Sequence, residues 1–434
     1  MSTAPAGTVR ASQFPEQAVR ERARRGAAAL FPALDQYGSA LFGAAGRAAG
    51  GDALDDLRLV PPVFMPERLE KLIDLGREPL YSDVDLATDL GGFHSPFPLY
   101  VSAFGSTQVA NGDLAVAASR QAGSLGLPMV IGENIVPMHG GYGRIDREAE
   151  SVMLQRLRAY LDAVPDGVGG VVVQQSTEDA DAEVWNLVYS DPAAGALLGS
   201  GRLGFELKVG QGAKPGLGGM TMLPATAPAA VRYHLQPLGA AGGPMLRSGS
   251  PGTLTDEILR QQVRMMRNNY PRARTWVKLH PARDIADAAS VAWTAGADAV
   301  GVDGAEAGTG WAPAAFLDHV GLPLAECLRR IAPAGRCLLG SGRLWEGTRL
   351  VKGLAMGVRA MGLGRAALIA VDEDRDDGLR RLVECLALET RMLVSALGHY
   401  TPGAVLAEDI WAAGADVAVT RPAPARTALS EPIG

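Results

Sequence analysis

The stretch GRCLLGSGRLWEGTRLVKGLAMGVRAMGLGRAALIA, residues 335–370, contains the same short pattern twice: an apolar run followed by a glycine-rich turn that holds an arginine. The turns are Gly340–Arg343 (GSGR) and Gly362–Arg365 (GLGR). Glycines let backbone N–H groups approach an anion, a following helix offers its positive N-terminus, and arginine adds a fork of donors. Because (β/α)₈ barrels commonly build a phosphate site after strands seven and eight, the pair predicts such a barrel and such a site. Ordinary strand-to-helix turns with surface arginines are the alternative interpretation.

Apolar runs of strand length recur along the rest of the chain, most of them followed by small or polar residues and then by a helical pattern. This is typical of buried parallel strands. Eight such runs are present: Pro98–Phe104, Met129–Asn134, Gly170–Gln175, Phe205–Gln211, Trp276–His280, Ala299–Gly304, Arg336–Ser341 and Arg359–Gly364. We therefore predict an α/β chain with a (β/α)₈ TIM barrel over residues 97–405. A mostly helical extension precedes it over residues 1–96, and a C-terminal helix at Asp374–Leu397 leads to a tail over residues 406–434.

The composition narrows the class of partner. The chain has 434 residues and a net charge of −6, so it lacks the basic character that a general nucleic-acid binder needs, and a small-molecule substrate is expected. Its three cysteines, Cys327, Cys337 and Cys385, show no metal-ligand spacing, so no metal site is predicted and a reducing, cytoplasmic compartment is expected. No apolar run is long enough to span a membrane, so no membrane partner is expected, while a homo-oligomer remains possible.

Residues at the carboxyl ends of the predicted strands define the candidate site, because these ends meet at one face of a barrel. Lys208, Lys214 and Lys278 are three of only five lysines in the chain. A lysine beside an apolar strand needs a compensating anion or acceptor, which is either a bound ligand or a structural partner such as Glu206, Asp303 or Glu133. His280 closes the fifth strand and is a candidate acid or base, because its ordinary pKa lies near neutrality.

Two loops add candidates for binding. The loop Gly301–Gly310 (GVDGAEAGTG) places Gly304 and Gly308 where a backbone could pass close to a flat ligand. The segment Gln211–Pro251 is long and rich in glycine and proline, and a loop of this length inside a compact domain is more often functional than not.

Several stretches resemble the FMN-binding domain of glutamate synthases and its single-domain relatives. They are Gly210–Gly219 (GQGAKPGLGG), Trp276–Leu279, Ala295–Pro313, Gly340–Arg343 and Val351–Ala370. The similarity covers roughly residues 95–405 in the family's order. QGAKPG is specific to this family, whereas the phosphate turns are shared by many FMN barrels.

The resemblance implies FMN bound over the barrel mouth. Ser102 and Ala103 would lie near the redox-active edge of its ring, Gln174, Gln211 and Lys278 would bind the ring's polar atoms, and Lys214 would reach toward the substrate. The implied phosphate ligands are Ser341, Gly342, Arg343, Gly364 and Arg365. A lysine beside the ring would stabilise negative charge on the reduced cofactor.

Departures from the family pattern are informative as well. Ser395–Ala404 reads SALGHYTPGA and has no cysteine where the family's iron–sulfur ligands would fall, and the chain opens MSTAPAG without the N-terminal cysteine of an amidotransferase domain. Both departures argue against glutamate synthesis.

We therefore predict an FMN-dependent oxidoreductase that dehydrogenates a small amino-acid-like metabolite. Hydride would pass to the flavin N5 while Lys214, His280 or Glu133 accepts a proton. A redox-neutral isomerase or lyase, or an FMN-carrying subunit of a larger complex, are the alternatives.

Overall fold

The computed structural model describes most of the chain. The described residues are 9–41, 43, 51–104, 113–133, 138–139, 144–145, 152–176, 182–210, 212, 214–223, 234–239, 242–309 and 311–412.

A closed barrel of eight parallel strands forms the centre of the molecule. The barrel strands are β1 (Leu99–Phe104), β2 (Met129–Ile131), β3 (Val171–Ser176), β4 (Leu203–Lys208), β5 (Arg274–Leu279), β6 (Ala299–Asp303), β7 (Leu338–Ser341) and β8 (Ala360–Leu363). Each strand pairs with the next along the chain, and β8 closes the ring by pairing Gly362 with Tyr100 of β1. All eight strands predicted from the apolar runs are confirmed, and so is the barrel.

Helices surround the barrel, and two further helices of the described residues belong to the extension that precedes it. Their bounds are α1 (Glu16–Arg25), α2 (Pro66–Leu75), α3 (Asp113–Ser124), α4 (Val152–Leu161), α5 (Ala182–Ser190), α6 (Gly195–Gly199), α7 (Asp256–Asn269), α8 (Ile285–Ala295), α9 (Ala314–His319), α10 (Leu324–Arg330), α11 (Gly347–Ala355), α12 (Arg365–Glu373) and α13 (Gly378–Ala396). Local signals set several ends: Thr255 accepts the N–H of Ile258 at the start of α7, and Gly296 ends α8 in a left-handed conformation.

A short hairpin closes the amino end of the barrel. Its strands Thr88–Leu90 and Phe93–Ser95 are antiparallel, and the Phe93 ring packs 5.5 Å from that of Trp276 on β5. Gly91 turns the hairpin with a φ of 56°, and a side chain there would overlap the Trp276 ring, whose Nε1–H donates to the Gly91 carbonyl at 2.9 Å. The floor of the barrel is therefore apolar and tightly packed.

The barrel interior changes from apolar to polar toward its carboxyl end. The lower layer holds Tyr100, Val130, Val172, Leu339 and Ala360 with the floor residues. Above it, polar side chains are buried inside the strands: Ser102, Gln174, Glu206, Lys278, Asp303 and Ser341. Buried charges are costly unless they are paired or serve a ligand, so this layer marks the end of the barrel where function is expected.

The N-terminal extension packs on the barrel beside its last two strands. Helix α1 lies against α12 and α13, with Val19 and Ala23 fully buried between them. Farther along, Arg58–Leu59 pairs with Ile410–Trp411 in a two-stranded antiparallel sheet, which joins the extension to the C-terminal region. The domain boundaries predicted at residues 97 and 405 stay predictions.

Two segments differ from the sequence-based expectation. The loop after β4 contains a three-stranded antiparallel sheet of Met220–Leu223, Met245–Ser248 and His234–Pro237. Its strands are only four residues long and are separated by glycine and proline. The sequence therefore shows no alternation of apolar and polar residues from which these strands could be predicted. Helix α13 begins at Gly378 rather than Asp374, because Asp374 accepts the N–H groups of Asp376 and Asp377 in the preceding turn. Gln211 and the tail from Asp416 lie outside the described residues.

Candidate active site

A small cavity opens where the two glycine-rich turns follow β7 and β8. It holds about 240 Å³ of space between protein atoms, including the part that is open to solvent. Its lining consists of Phe14, Ala307, Gly308, Ser341, Gly342, Arg343, Leu344, Gly362, Gly364 and Arg365. Every residue predicted to bind a phosphate therefore lines one cavity. Gly364 caps the N-terminus of α12, where the first N–H groups have no partner within the helix, and a side chain at Gly364 would meet only open space.

The Arg365 side chain supplies a positive charge to this cavity. It is half-buried, and its Nη2–H donates to the Glu306 carbonyl at 2.6 Å. Within the described part of the chain no carboxylate lies within ion-pair distance of its guanidinium. Burial, together with the neighbouring charge of Arg343, lowers the pKa of Arg365 to about 10. A half-buried cation without a counter-ion, set in a cavity at a helix N-terminus, is suited to binding an anion.

Arg343 has a different environment. Its Nη1 lies 2.9 Å from Oδ2 of Asp55 in the N-terminal extension, and its backbone φ is 51°, a conformation that non-glycine residues seldom adopt. Its Nε is buried and finds no hydrogen-bond acceptor among the described residues. The neighbouring Arg349 of α11 is fully buried and pairs with both Asp52 and Asp55.

Glu306 lies under the same turns and was not selected from the sequence. Both of its carboxylate oxygens are 3.1 Å from the backbone nitrogen of Leu324, at the start of α10. Burial, reinforced by the negative charge of Asp52, raises the pKa of Glu306 to about 7. The site thus holds a carboxyl group that changes charge near neutral pH.

The predicted flavin-edge residues lie at the upper end of β1. Ser102 is buried, and its hydroxyl is 3.3 Å from that of Ser341 across the barrel, while Ala103 is half-buried. A side chain at Gly362 would overlap the Ser102 hydroxyl, so the glycine of the second turn makes room for this serine.

Lys278 lies buried between two carboxylates at the centre of the barrel mouth. Its Nζ is 2.9 Å from Oδ1 of Asp303, and Glu206 on β4 is the second neighbouring charge. Burial alone would lower the pKa of Lys278, but the two carboxylates hold it above its ordinary value. Burial raises the pKa of Glu206, which accepts a hydrogen bond from the Gln174 amide. The ion pair between Lys278 and Asp303 that the sequence left open is present.

A second charged group lies at the ends of β2 and β4. The Lys208 ammonium bonds the Glu133 carboxylate, and both side chains are largely buried. Burial opposes ionisation of Glu133, but the charges of Lys208 and, farther away, Lys214 hold its pKa below the ordinary value. Glu133 is therefore anionic at neutral pH and is paired with the Lys208 ammonium.

His280 packs closely against Gly210 in the loop that follows β4. A side chain at Gly210 would collide with Nδ1 and Cβ of His280, and one at Gly212 would overlap the carbonyl oxygen of Gly304. Nδ1 of His280 is buried and has no acceptor or donor among the described residues, and burial lowers the pKa of the ring. The imidazole is therefore neutral at pH 7.

Most predicted site residues thus lie at one end of the barrel. Gln211 is outside the described residues, Gly308 packs against the Arg365 side chain, and the Gly304 N–H donates to the Ser341 carbonyl at 2.9 Å. Sequence reasoning treated Glu206 only as a possible structural partner, and missed Glu306, Phe14, Asp52 and Asp55. Glu206 lies two residues before Lys208 on β4, so both side chains lie on the same face of the strand. The direction of Glu206 into the barrel could therefore be predicted from the two-residue period of a strand. The other four come from loops and from the extension, where no such period exists.

The cysteines lie in three different elements. Cys327 in α10 and Cys385 in α13 are buried, and Cys337 lies just before β7. Burial raises the pKa of these thiols to about 12, 11 and 11 for Cys327, Cys337 and Cys385. Across the described ranges no three histidine, cysteine or acidic side chains are arranged to hold a metal ion. In the same ranges no helix has the length and apolar character to cross a bilayer.

The model of a conserved region in glutamate synthase matches residues 142–373, more than half of the chain. The chain therefore belongs to the glutamate synthase FMN-domain family, and it is an FMN-dependent oxidoreductase in class. The cavity agrees with this cofactor, because it offers the Arg365 guanidinium, glycine turns and a helix N-terminus to a phosphate.

Curated relatives show the same similarity. A glutamate synthase large subunit-like protein of Rhizobium meliloti (strain 1021) is 30% identical over 177 residues, which cover 39% of this chain and 40% of that protein. An archaeal glutamate synthase [NADPH] of Methanocaldococcus jannaschii is 31% identical over 182 residues, or 38% of this chain and 34% of that protein. The aligned region thus spans between a third and two-fifths of the length of these relatives.

Solved structures share the fold at low identity. A mutant of an active chimera of (S)-mandelate dehydrogenase superposes with a TM-score of 0.54 at 16% identity, covering 92% of this chain and 99% of that one. A soluble mutant of the membrane-associated (S)-mandelate dehydrogenase from Pseudomonas putida gives 0.53 at 17% identity, with the same coverage. These similarities establish the barrel fold.

Proposed function

We propose that the chain oxidises a small amino-acid-like metabolite at the barrel mouth, with its FMN phosphate held by the turns after β7 and β8. The observation that carries the cofactor placement is Arg365, a half-buried guanidinium that lines the cavity without a carboxylate partner in the described chain. Ser341, Gly342, Arg343 and Gly364 line the same cavity. When bound, FMN supplies two-electron acceptance at its N5 atom.

The remaining cofactor contacts follow from the order of residues across the mouth. Ser102 and Ala103 end β1, beside the second phosphate turn, and are proposed to lie under the flavin ring. Gln174 and Lys278 are buried at the centre and are proposed to bond the polar edge of the ring, together with Gln211. Gly304 and Gly308 allow the backbone after β6 to approach the cofactor.

The charges at the ends of β2 and β4 support an amino-acid-like substrate. Glu133 is anionic, is paired with Lys208 and is influenced by the positive charge of Lys214. A zwitterionic substrate matches such a group, because Lys214 can bind its carboxylate while Glu133 attracts its ammonium. We propose that Lys214 and Glu133 orient the substrate in this way.

Removal of hydride from the substrate carbon also requires loss of a proton from the attached nitrogen or oxygen. His280 is the proposed acceptor, because its ring is neutral at pH 7 and able to take a proton. Its Nδ1 packs against Gly210, so Nε2 is the atom assigned to this step.

Anaerobic reduction tests the proposal directly. Purified holoprotein is mixed with a panel of amino acids and the matching 2-hydroxy acids, and the visible flavin absorption is followed. Bleaching by amino acids, with a higher substrate requirement in Lys214→Gln, supports the proposal. Product formation without bleaching and without an added acceptor supports a redox-neutral isomerase or lyase instead.

A second candidate is an FMN-carrying subunit of a larger complex, and one observation favours it. The extension exposes large apolar side chains, including Leu34, Val63, Phe64 and Ile73, each at least 70% exposed. Where such side chains form a contiguous patch, they often mark an interaction site. Measuring the mass and the activity of the purified chain separates this candidate from an independent enzyme. Homo-oligomer formation and a cytoplasmic location remain predictions.

A further inference from the structure

The N-terminal extension reaches the proposed phosphate cavity at two separate points. The first is Phe14, which lines the cavity together with Gly342, Gly364 and Arg365. The Arg365 guanidinium carbon lies 4.6 Å from the centre of the Phe14 ring. An aromatic ring in this position keeps water away from the guanidinium, and in such less polar surroundings the attraction between Arg365 and a bound anion is stronger.

Ion pairs fix the segment that carries Phe14 to the helix that starts in the cavity. Arg20 is buried, and its guanidinium bonds Asp372 at 2.9 Å and Glu373 at 3.1 Å, both at the end of α12. The Val9 N–H also donates to Asp372. The extension therefore runs along α12, with Arg20 at its C-terminal end and Phe14 over Arg365 at its N-terminal end.

The second point is the pair Asp52 and Asp55. Asp55 bonds Arg343 at 2.9 Å, and both carboxylates bond the fully buried Arg349 of α11. These contacts occupy Nη1 of Arg343, a residue whose backbone φ is 51° and whose Nε has no acceptor within the described chain. Asp55 thus acts on the turn after β7, as Phe14 acts on the turn after β8.

We propose that the N-terminal extension completes the phosphate site of the cofactor, with Phe14 closing the cavity over Arg365 and Asp55 positioning Arg343. This inference rests on the proposed placement of the FMN phosphate. Phe14 is assigned a binding role, and Asp55 is a positioning residue that acts through Arg343. The extension is then part of the cofactor site rather than a separate module.

The test compares FMN with riboflavin, which has the same ring and no phosphate. The dissociation constant of each is measured on the full-length apoprotein by quenching of flavin fluorescence, for wild type, Phe14→Ala, Phe14→Leu and Asp55→Asn. We expect Phe14→Ala and Asp55→Asn to weaken FMN by about tenfold, the order of one charge-assisted hydrogen bond, and to leave riboflavin unchanged. Phe14→Leu, which keeps apolar bulk, should weaken FMN less than Phe14→Ala.

Two matched controls lie in the same extension. Phe31→Ala removes an exposed aromatic ring, and Asp83→Asn breaks the ion pair with Arg77, both away from the cavity lining. Both controls should bind FMN as wild type does. Equal losses for FMN and riboflavin would show a general effect on folding and overturn the proposal, as would unchanged FMN affinity in both Phe14→Ala and Asp55→Asn. Wild type that binds FMN and riboflavin equally well would overturn the placement of the phosphate, and this inference with it.

Discussion

Arg365 and Arg343 have the same side chain and line the same cavity, but because their surroundings differ, they should attract a bound anion with different strength. Arg343 already has Asp55 as a partner, whereas Arg365 has no carboxylate partner among the described residues and has a lowered pKa. Arg365 should therefore contribute more to phosphate binding. The phosphate would supply the negative charge that no carboxylate of the described chain places beside this arginine.

Arg365→Ala should accordingly weaken FMN binding by about 1.5–3 kcal/mol, or on the order of 10- to 100-fold in Kd. Arg343→Ala should cost less, because Nη1 of Arg343 is occupied by Asp55, which positions the side chain, so fewer of its N–H groups remain for the phosphate. Isothermal titration of the apoprotein with FMN measures both. Arg329→Ala, an exposed arginine that pairs with Glu326 on the surface, is the control and should bind normally. An Arg343→Ala loss larger than that of Arg365→Ala would contradict this ranking.

Glu306 gives the stability of the protein a pH dependence with a definite sign. Its pKa rises from an ordinary 4.5 to about 7 in the folded state, so folding favours the protonated form. The resulting cost is absent below pH 4.5, grows as the pH rises toward 7, and is fully present above 7. Glu306→Gln, which keeps an acceptor for the Leu324 N–H, should remove this cost.

The variant should therefore gain about 2–3 kcal/mol over wild type between pH 5 and pH 8. Urea unfolding of the apoprotein at the two pH values measures the change. The exposed Glu408→Gln is the control and should show no pH-dependent difference. A Glu306→Gln variant that loses stability relative to wild type as the pH rises would show that the carboxylate is stabilising.

Lys278 has a structural ion pair with Asp303 and a proposed role beside the flavin, and one variant cannot separate the two. Lys278→Met leaves Asp303 and Glu206 without their shared cation, and breaking such a buried pair typically costs about 3–5 kcal/mol. The double variant Lys278→Met with Asp303→Asn should recover a large part of this loss. If Lys278 also lies beside the flavin ring, both variants should lower the reduction potential of bound FMN to a similar extent. A potential that returns to the wild-type value in the double variant would show that the lysine acts only through Asp303.

At the scale of elements, the barrel was predictable because each buried strand leaves its own mark in the sequence. β6 (AVGVD) and β7 (LLGS) are uninterrupted small or apolar runs, and the two GxGR-like turns fix their order next to β8. The sheet after β4 was not predictable, because its strands are short and half exposed. Asp52 and Asp55 lie far along the chain from Arg343 and Arg349, and no pattern in one sequence reports such a contact.

The loop after β4 packs closely against the loop after β6 at Gly212. A side chain at Gly212 would overlap the Gly304 carbonyl and approach Ala307 to 2.6 Å, and both atoms belong to the segment beside the cavity. Gly212→Ala should therefore push the two loops apart, weaken FMN binding and destabilise the protein by about 1–3 kcal/mol, as for other overpacked sites. Gly195→Ala is the matched control, because its helical backbone and the open space around it accept a methyl group. FMN titration measures the change in affinity, and thermal unfolding measures the change in stability. A Gly212→Ala variant as stable as Gly195→Ala would contradict the close packing.

At the scale of the whole molecule, the extension and the last two βα units form one packed region. Arg22 bonds Glu389 of α13 at 2.8 Å, and Glu389 in turn accepts the Gly347 N–H at the start of α11. Helix α1 is thus linked through Glu389 to α11, which follows the first phosphate turn. It also packs against α12, which follows the second. A ligand that binds the turns should stabilise this region as a unit, because openings that detach α1 would also disturb the site.

Hydrogen exchange measured with and without FMN reports this coupling. At a free FMN concentration of 100 times its Kd, openings that release the ligand become less favourable by about 2.7 kcal/mol, which slows the exchange of the amides they expose by about 100-fold. We expect peptides covering α1 to show protection that approaches this limit. Peptides covering α7, which packs against α8 beside β5, should be protected less unless they exchange only by global unfolding. Riboflavin at the same saturation should protect α1 less than FMN does, because it lacks the phosphate that the turns bind. Equal exchange of α1 in the presence and absence of FMN would show that the extension opens independently of the site.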